Sequence, residues 1–389
     1  RRQIEYMKIM IIDPWGVKTL SPYSNGFFYG MSECSNLVVE ANYYFENNTS
    51  ASYQIDRLFF KKSERMKNGV IRKIVRGFEY VNAYNKILRI VKKERFDFIE
   101  IEWLLMYRID FFYIKKLKKY CKVLYKAHNV IPHEHGDKKI NILKKIYSIV
   151  DLIIIHGKSI KNEFELLFPT ISEDKIIIQP FGMFKMNTSF DISCVPNSIV
   201  DKISHFNRIY LFFGGLFYNK GVDRLIDVWS KKANKDTLLI IAGKSSSDYF
   251  ELVEQYEKNK DLPNLFLMDE FICDNTLNYF IGICDAVIIP YRHASMSGVL
   301  FTAAAFSKPV LCTDVGSLSE YFIDHLHGYL VSNSFEGVEY GMGLLDDTEK
   351  KELQKMGNDF NSYINQNYSW EIICRILVET IYSKLFKEE

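Results

Sequence analysis

The chain lacks several things that would have settled its class early. Its seven cysteines (34, 121, 194, 273, 284, 312, 374) are scattered, odd in number and never arranged as CxxC. That spacing excludes the usual zinc ribbons and gives no disulfide frame, so reduced thiols and a cytoplasmic location are the expectation. No apolar run approaches the ~20 residues needed to cross a bilayer; Ile149 to Ile155 is interrupted by Asp151. No signal peptide is read, and Arg1 to Tyr6, before Met7, look unlike a structured start. The formal net charge is only +2, so the molecule as a whole is no polyanion binder. Internal repeats and low-complexity tracts are absent, and no GxGxxG opens the first strand–helix unit, which reads Asp13-Pro14-Trp15-Gly16. That last absence counts against a nicotinamide-dependent dehydrogenase.

What is present is alternation. With 389 residues, 48% hydrophobic and 25% charged, two soluble globular domains are the prior. Met7 to Ile12 is an apolar run that reads as a buried parallel strand. Further strands are predicted at Phe98–Ile101, Val123–Tyr125, Leu152–Ile155 and Lys175–Ile178, with helical patterns between them at Ile71–Val91 and Ile140–Ile149. Met183 to Ser204 has little periodicity and reads as a linker. The alternation then restarts at Ile209–Phe213 and continues through Thr237–Ile241, Asn264–Met268, Ala286–Ile289 and Val310–Thr313. Ser317 and Glu320 have capping-box spacing ahead of a helix expected near Leu318–Ile323. The fold class is therefore α/β: two doubly wound, Rossmann-like domains facing a cleft, with ligands expected beyond the C-terminal strand ends.

Two loops of the second domain carry phosphate-binding equipment. In Phe213-Gly214-Gly215-Leu216-Phe217-Tyr218-Asn219-Lys220-Gly221, the glycines permit close backbone approach and Lys220 offers a cation just before a helix. In Ser295-Met296-Ser297-Gly298-Val299-Leu300, small residues open a helix whose N-terminal N–H groups suit an anion. Each alone also fits an ordinary turn or helix start.

At these residues the chain resembles the GT-B glycosyltransferases of family 4 (group 1). Gly214-Gly215…Lys220-Gly221-Val222-Asp223-Arg224-Leu225-Ile226 is similar to their phosphate loop. Tyr291…Ser297-Gly298-Val299-Leu300…Ala305-Phe306-Ser307-Lys308-Pro309-Val310 resembles their donor motif, and Tyr368-Ser369-Trp370-Glu371 resembles the start of their last helix, which crosses back to the N-terminal domain. The resemblance implies domains at 1–185 (with 368–389) for the acceptor side and 186–367 for the donor. It implies a nucleotide-diphosphate sugar as donor substrate and no cofactor. By the same resemblance Lys220 neutralises the diphosphate, Ser297, Gly298 and Val299 hydrogen-bond it, and Phe271 and Ile272 meet the nucleobase; core packing is the plain alternative for Phe271. One departure stands out. Family members often carry two Glu eight residues apart around the donor; here Ala294 and Thr302 occupy those positions, as in a subset lacking the pair. Thr302 keeps one hydroxyl for a donor contact.

On the acceptor side, Ala127-His128-Asn129-Val130-Ile131-Pro132-His133-Glu134-His135 follows a strand. The cluster matches no zinc pattern, and no metal is expected. By resemblance His128 is the cleft histidine near the transferred sugar; a structural loop histidine is the alternative. Glu134 and Asp13 are further acid–base candidates. Thirteen cations between Arg57 and Arg95, against Asp56, Glu64, Glu79 and Glu94, interleave with Phe59, Phe60, Ile71, Ile74, Val75, Phe78 and Val81. That pattern suggests peripheral contact with the inner face of an anionic bacterial membrane, and no motif accompanies it that would suggest nucleic acid. The expected function is transfer of a sugar to a glycan or lipid-linked glycan in bacterial surface polysaccharide synthesis. The rivals are a nucleotide-sugar epimerase of the same fold and a non-catalytic partner protein.

Overall fold

The computed structural model describes residues 7–51, 53–131, 136–183, 186–231, 236–294 and 297–386. The chain divides into two compact units, Arg1–Gly182 with Tyr368–Glu389, and Met183–Asn367.

The first unit is built on a seven-stranded parallel sheet. Its strands are β1 (Lys8–Asp13), β2 (Asn36–Asn42), β3 (Gln54–Phe59), β4 (Phe98–Ile101), β5 (Lys122–Lys126), β6 (Leu152–Ile155) and β7 (Ile176–Ile178), in the spatial order β3-β2-β1-β4-β5-β6-β7. Helices α1 (Ser21–Ser32), α2 (Val70–Lys93), α3 (Tyr107–Leu117), α4 (Gly136–Ile149) and α5 (Lys158–Leu167) supply the crossovers. The central strands are mostly apolar, as suits a parallel sheet covered by crossover helices; Met10, Ile11 and Ile12 are fully buried. β2 and β3 escape the sequence reading. β2 carries Glu40 and two asparagines, and β3 is an edge strand whose residues are mostly half-exposed.

In the second unit α6 (Asn197–Ile203) precedes a six-stranded parallel sheet. It is followed in chain order by β8 (Arg208–Phe213), α7 (Val222–Ser230), β9 (Thr237–Ala242), α8 (Phe250–Asn259), β10 (Leu265–Met268), α9 (Asp274–Ile283), β11 (Ala286–Ile289), α10 (Gly298–Ala305), β12 (Val310–Thr313), β13 (Gly328–Val331), α11 (Phe335–Asp347) and α12 (Lys350–Tyr368). The spatial order is β10-β9-β8-β11-β12-β13. In each sheet the order reverses at one point, β1/β4 and β8/β11, where strand-end loops diverge and a ligand crevice forms.

Two local expectations need correction. The stretch read as linker contains α6, which buries Ile199 and Ile203. The helix expected near Leu318–Ile323 is a single 3-10 turn, Leu318–Tyr321, and Ser317 makes no side-chain cap. The capping-box spacing is there without the apolar period that would extend it.

The last helix, α13 (Trp370–Leu385), packs on α1 within the first unit. Glycines permit this. A Cβ at Gly26 would lie 2.2 Å from Trp370 Nε1, and one at Gly30 would lie 2.5 Å from the Trp370 carbonyl oxygen.

Candidate active site

In the first unit, charged residues gather at the C-terminal ends of neighbouring strands. Asp13 ends β1, Glu102 follows β4, Lys126 ends β5, and His128, His156 and Gln179 follow β5, β6 and β7. All but His128 are at least 95% buried. Lys126 Nζ lies 2.6 Å from Glu100 and 2.7 Å from Glu102. Burial pulls the Lys126 pKa down, but the two carboxylates more than offset it and hold the ammonium charged. One cation between two buried carboxylates leaves a proton's worth of imbalance. Burial accordingly pushes Glu100 up to about 8, with Lys126 opposing.

From Glu102 a chain of contacts crosses the strand ends. Glu102 Oε2 lies 2.9 Å from His128 Nε2, His128 Nδ1 lies 3.0 Å from His156 Nε2, and His156 Nδ1 lies 3.1 Å from the Gln179 carbonyl. Burial depresses both imidazole pKa values well below the usual range. Yet both ends of the chain are acceptors, and three hydrogen bonds need three protons where two neutral imidazoles supply two. The chain closes fully only when Glu102, His128 and His156 share one further proton. Trp103 stacks on His128 at 4.0 Å. Both ring nitrogens of His128 are therefore engaged inside the unit.

Asp13 differs. It accepts from Ser24 Oγ at 2.6 Å and from the Trp15 N–H at 3.0 Å. A Cβ at Gly16 would lie 2.0 Å from Asp13 Oδ2, so backbone rests directly on the carboxylate. Burial, and then the charge of Glu102, raise its pKa to about 7, the range that suits a general base near neutral pH. Glu134 lies outside the described residues.

In the second unit the glycine loop and the N-terminus of α10 meet. Gly214 has φ 114°, open to glycine but strained for other residues, and a Cβ there would touch Val299 at 3.7 Å. Gly221 has φ 67°, and a Cβ there would lie 2.2 Å from the Pro290 carbonyl oxygen. Lys220 Nζ lies 3.8 Å above the Tyr291 ring, and the Tyr291 hydroxyl lies 3.0 Å from Ser297 Oγ. Lys220, Tyr291 and Ser297 thus form one contiguous group. Lys220 is half-buried with no ion-pair partner among the described residues, and burial lowers its pKa to about 8. Ser297 caps α10 by accepting from the Val299 N–H at 3.3 Å.

The remaining donor candidates diverge. Gly215 lies against its own loop, where a Cβ would meet the Phe217 ring at 2.3 Å. Phe271 is 86% exposed, whereas Ile272 is buried, so Phe271 is no core residue. Thr302 is buried and its hydroxyl donates to the Gly298 carbonyl at 3.0 Å. Among the described residues no group of three or more His, Cys, Asp or Glu is placed to hold a metal.

Sequence reasoning missed two groups. Glu100, Glu102, Lys126 and His156 escaped it, although charges inside or capping apolar strands are a visible signal. It also missed the role of Arg292, whose guanidinium pairs with both oxygens of Asp223 at 2.7 and 2.8 Å. Tyr249 donates to the same carboxylate. Arg292 also donates to the Tyr218 carbonyl at 3.0 Å, tying the Lys220 loop to the loop after β11.

Comparison with known proteins fits these geometries. Residues 200–357 match the family model described as glycosyl transferases group 1. An uncharacterized glycosyltransferase of Methanocaldococcus jannaschii is 27% identical over 260 residues, covering 63% of this chain and 71% of the relative. Among solved structures, Anabaena HepE in complex with UDP and glucose superimposes with a TM-score of 0.67 at 13% identity, covering 97% of this chain and 100% of HepE. The lipopolysaccharide outer core galactosyltransferase WaaB does so with a TM-score of 0.65 at 13% identity, covering 97% and 100%. At such identities the structures speak for the fold, and the domain match and the relative speak for the activity: the chain is a glycosyltransferase of the GT-B fold, whose second unit matches the group 1 model over residues 200–357.

Proposed function

We propose that the enzyme transfers a sugar from a nucleotide-diphosphate sugar to a hydroxyl of a glycan or lipid-linked glycan in bacterial surface polysaccharide synthesis. The observation that carries this is Lys220: a half-buried cation with no carboxylate partner among the described residues, joined through Tyr291 to the N-terminus of a helix. That is equipment for a diphosphate. Charge develops on the diphosphate as the sugar leaves, and a fixed cation with aligned N–H groups stabilises that charge without reorganising. Phe271, exposed at the end of β10, and Ile272 beside it would meet the nucleobase.

In the first unit Asp13 would take the proton of the acceptor hydroxyl. His128 would orient the site rather than exchange protons with substrate. No cofactor or metal is required in this scheme. HepE was solved with UDP and glucose, which supports a donor of this type, and WaaB is described as a lipopolysaccharide outer core galactosyltransferase, which supports a surface glycan as acceptor. The basic segment 57–95 would hold the enzyme at the inner face of the membrane, and no described helix is long and apolar enough to cross one.

The test is donor-dependent release of nucleoside diphosphate across a panel of UDP- and GDP-sugars. Release that depends on an added glycan acceptor supports the proposal. Conversion of the donor to its epimer without acceptor would replace transfer with epimerisation. Full activity in Lys220→Ala would remove the diphosphate assignment.

A further inference from the structure

Beside the end of β1 the first unit has a cavity of about 540 Å³ whose wall includes Trp15, Lys18, Glu64, Arg72, Lys73 and Arg76. Four cations surround one carboxylate. Glu64 lies 3.2 Å from Lys18, 2.9 Å from Arg76 and 3.8 Å from Arg72. Burial alone would raise the Glu64 pKa, yet Arg76 and Lys18 hold it below the usual range. It cannot neutralise all four cations, and Lys73 has no ion-pair partner among the described residues.

Two of these cations are held in place. Arg72 donates to the Ser63 carbonyl at 2.9 Å and to Asn68, and Arg76 lies 3.7 Å above the Phe60 ring. Such an arrangement fits an anion of more than one charge better than it fits solvent.

The outer side of the same helix is apolar. Val70, Ile71, Ile74 and Phe78 share one face of α2 and are 73%, 70%, 54% and 74% exposed. Beyond Phe78 lies a second cavity, of about 630 Å³, whose charged lining is Arg57, Lys61, Lys62 and Lys86 against the single carboxylate Glu79. An apolar ridge flanked on both sides by cations is complementary to an acidic bilayer surface.

We infer that the cavity at Lys18, Arg72 and Lys73 holds the phosphate or diphosphate ester of the acceptor, and that this ester is borne by a lipid whose bilayer receives the α2 ridge. The inference rests on the transferase reading above and names the acceptor's chemistry. Its position supports it: Trp15 in the cavity wall lies 6.4 Å from Trp103, which stacks on His128. A sugar attached to that phosphate would pass the two indoles toward Asp13.

The test uses the whole chain and radiolabelled pyrophosphate in equilibrium dialysis. Two classes of site are expected, one weakened by Lys220→Ala and the other weakened at least tenfold by the exposed substitution Lys73→Glu, with Arg72→Ala as a second variant. If neither variant weakens the second class, the inference is overturned; if Lys220→Ala weakens neither class, it is the donor reading that falls. A second arm measures co-sedimentation with phosphatidylcholine vesicles carrying phosphatidic acid. Vesicle binding should be lost in Lys73→Glu and also in Ile71→Ser/Phe78→Ser, the latter still binding pyrophosphate. Pyrophosphate binding without vesicle binding would overturn the lipid part and assign the cavity to a soluble phosphate ester.

Discussion

Two lysines, Lys126 at the end of β5 and Lys220 in the turn before α7, show how the same side chain serves different ends. Lys126 is fully buried and lies between Glu100 and Glu102, which hold it charged. Lys220 is half-buried above a tyrosine ring, without a carboxylate partner among the described residues, and burial lowers its pKa to about 8. The first lysine has its counter-charge built into the fold; the second lacks one until a ligand supplies it. The same contrast separates the imidazoles of His128 and His156, engaged with Glu102 and Gln179 inside the unit, from the Asp13 carboxyl, whose pKa burial raises to about 7.

The sharpest way to break the comparison is to remove each lysine. Lys126→Met strands two buried carboxylates, and breaking a buried ion pair from one side costs about 3–5 kcal/mol. Denaturant unfolding should show that loss, with turnover failing only through unfolding. Lys220→Ala removes an unpaired cation, so stability should hold while kcat/KM for the donor falls about 10²- to 10³-fold, as for other groups aimed at developing charge. In the unaltered enzyme donor affinity should decline as pH rises through about 8, where Lys220 loses its proton. Equal stability losses in both variants would erase the distinction.

Asp13 sharpens the same line on the acceptor side. The base role proposed for Asp13 requires the ionised carboxylate, so activity should rise with pH through about 7. Asp13→Asn should remove that limb and lower kcat by about 10²-fold or more. Its effect on stability has a different sign. A carboxyl whose folded pKa is raised favours folding below its unfolded pKa and loses that advantage as pH rises through the folded one. At pH 8 the Asn variant should therefore be no less stable than the parent. A pH–rate profile that keeps its acidic limb in Asp13→Asn would take the base role away from Asp13.

What the sequence made legible follows from which physics was local. The doubly wound pattern shows because strands buried on both faces are nearly pure apolar runs, as in β1 and β6. The glycine loop and Ser297 are legible because close approach and capping each demand a particular residue at a particular place. β2 was not legible: Glu40 sits inside it fully buried, with neither carboxylate oxygen hydrogen-bonded among the described residues. The Glu102–His128–His156 chain was not legible either, since its members come from three crossovers and only the sheet order joins them.

Glu40 offers a smaller effect. Burial, then Asp56 and Glu94, raise its pKa to about 8, so the folded state binds a proton that the unfolded state releases above the ordinary carboxylate range. Stability attributable to this group falls as pH rises from that range to about 8. Glu40→Gln should remove the slope and stabilise the protein at pH 8 by on the order of 2 kcal/mol, allowing for the cost of burying the amide. Thermal melts at pH 5 and pH 8 would show it, and an unchanged slope would mean the site ionises freely in the fold.

Thr302 should show the least, and the reason is specific. By the sequence resemblance it stands at one of the two positions where a Glu would be expected, and its hydroxyl was the group left to replace that contact. In the structure the hydroxyl donates back to the Gly298 carbonyl one turn earlier, the local bond that Ser and Thr commonly make within helices. Removing it leaves that carbonyl with its helical role intact. Thr302→Ala should therefore change stability by less than about 0.5 kcal/mol and leave the donor KM unchanged, while Ser297→Ala, which loses the α10 cap and the Tyr291 contact, costs about 1 kcal/mol. If Thr302→Ala instead raises the donor KM severalfold with stability intact, the hydroxyl turns from its own helix to the sugar when donor binds. In that case the second unit reorganises on binding, rather than presenting the ready-made cradle that its unpaired lysine and capped helix describe.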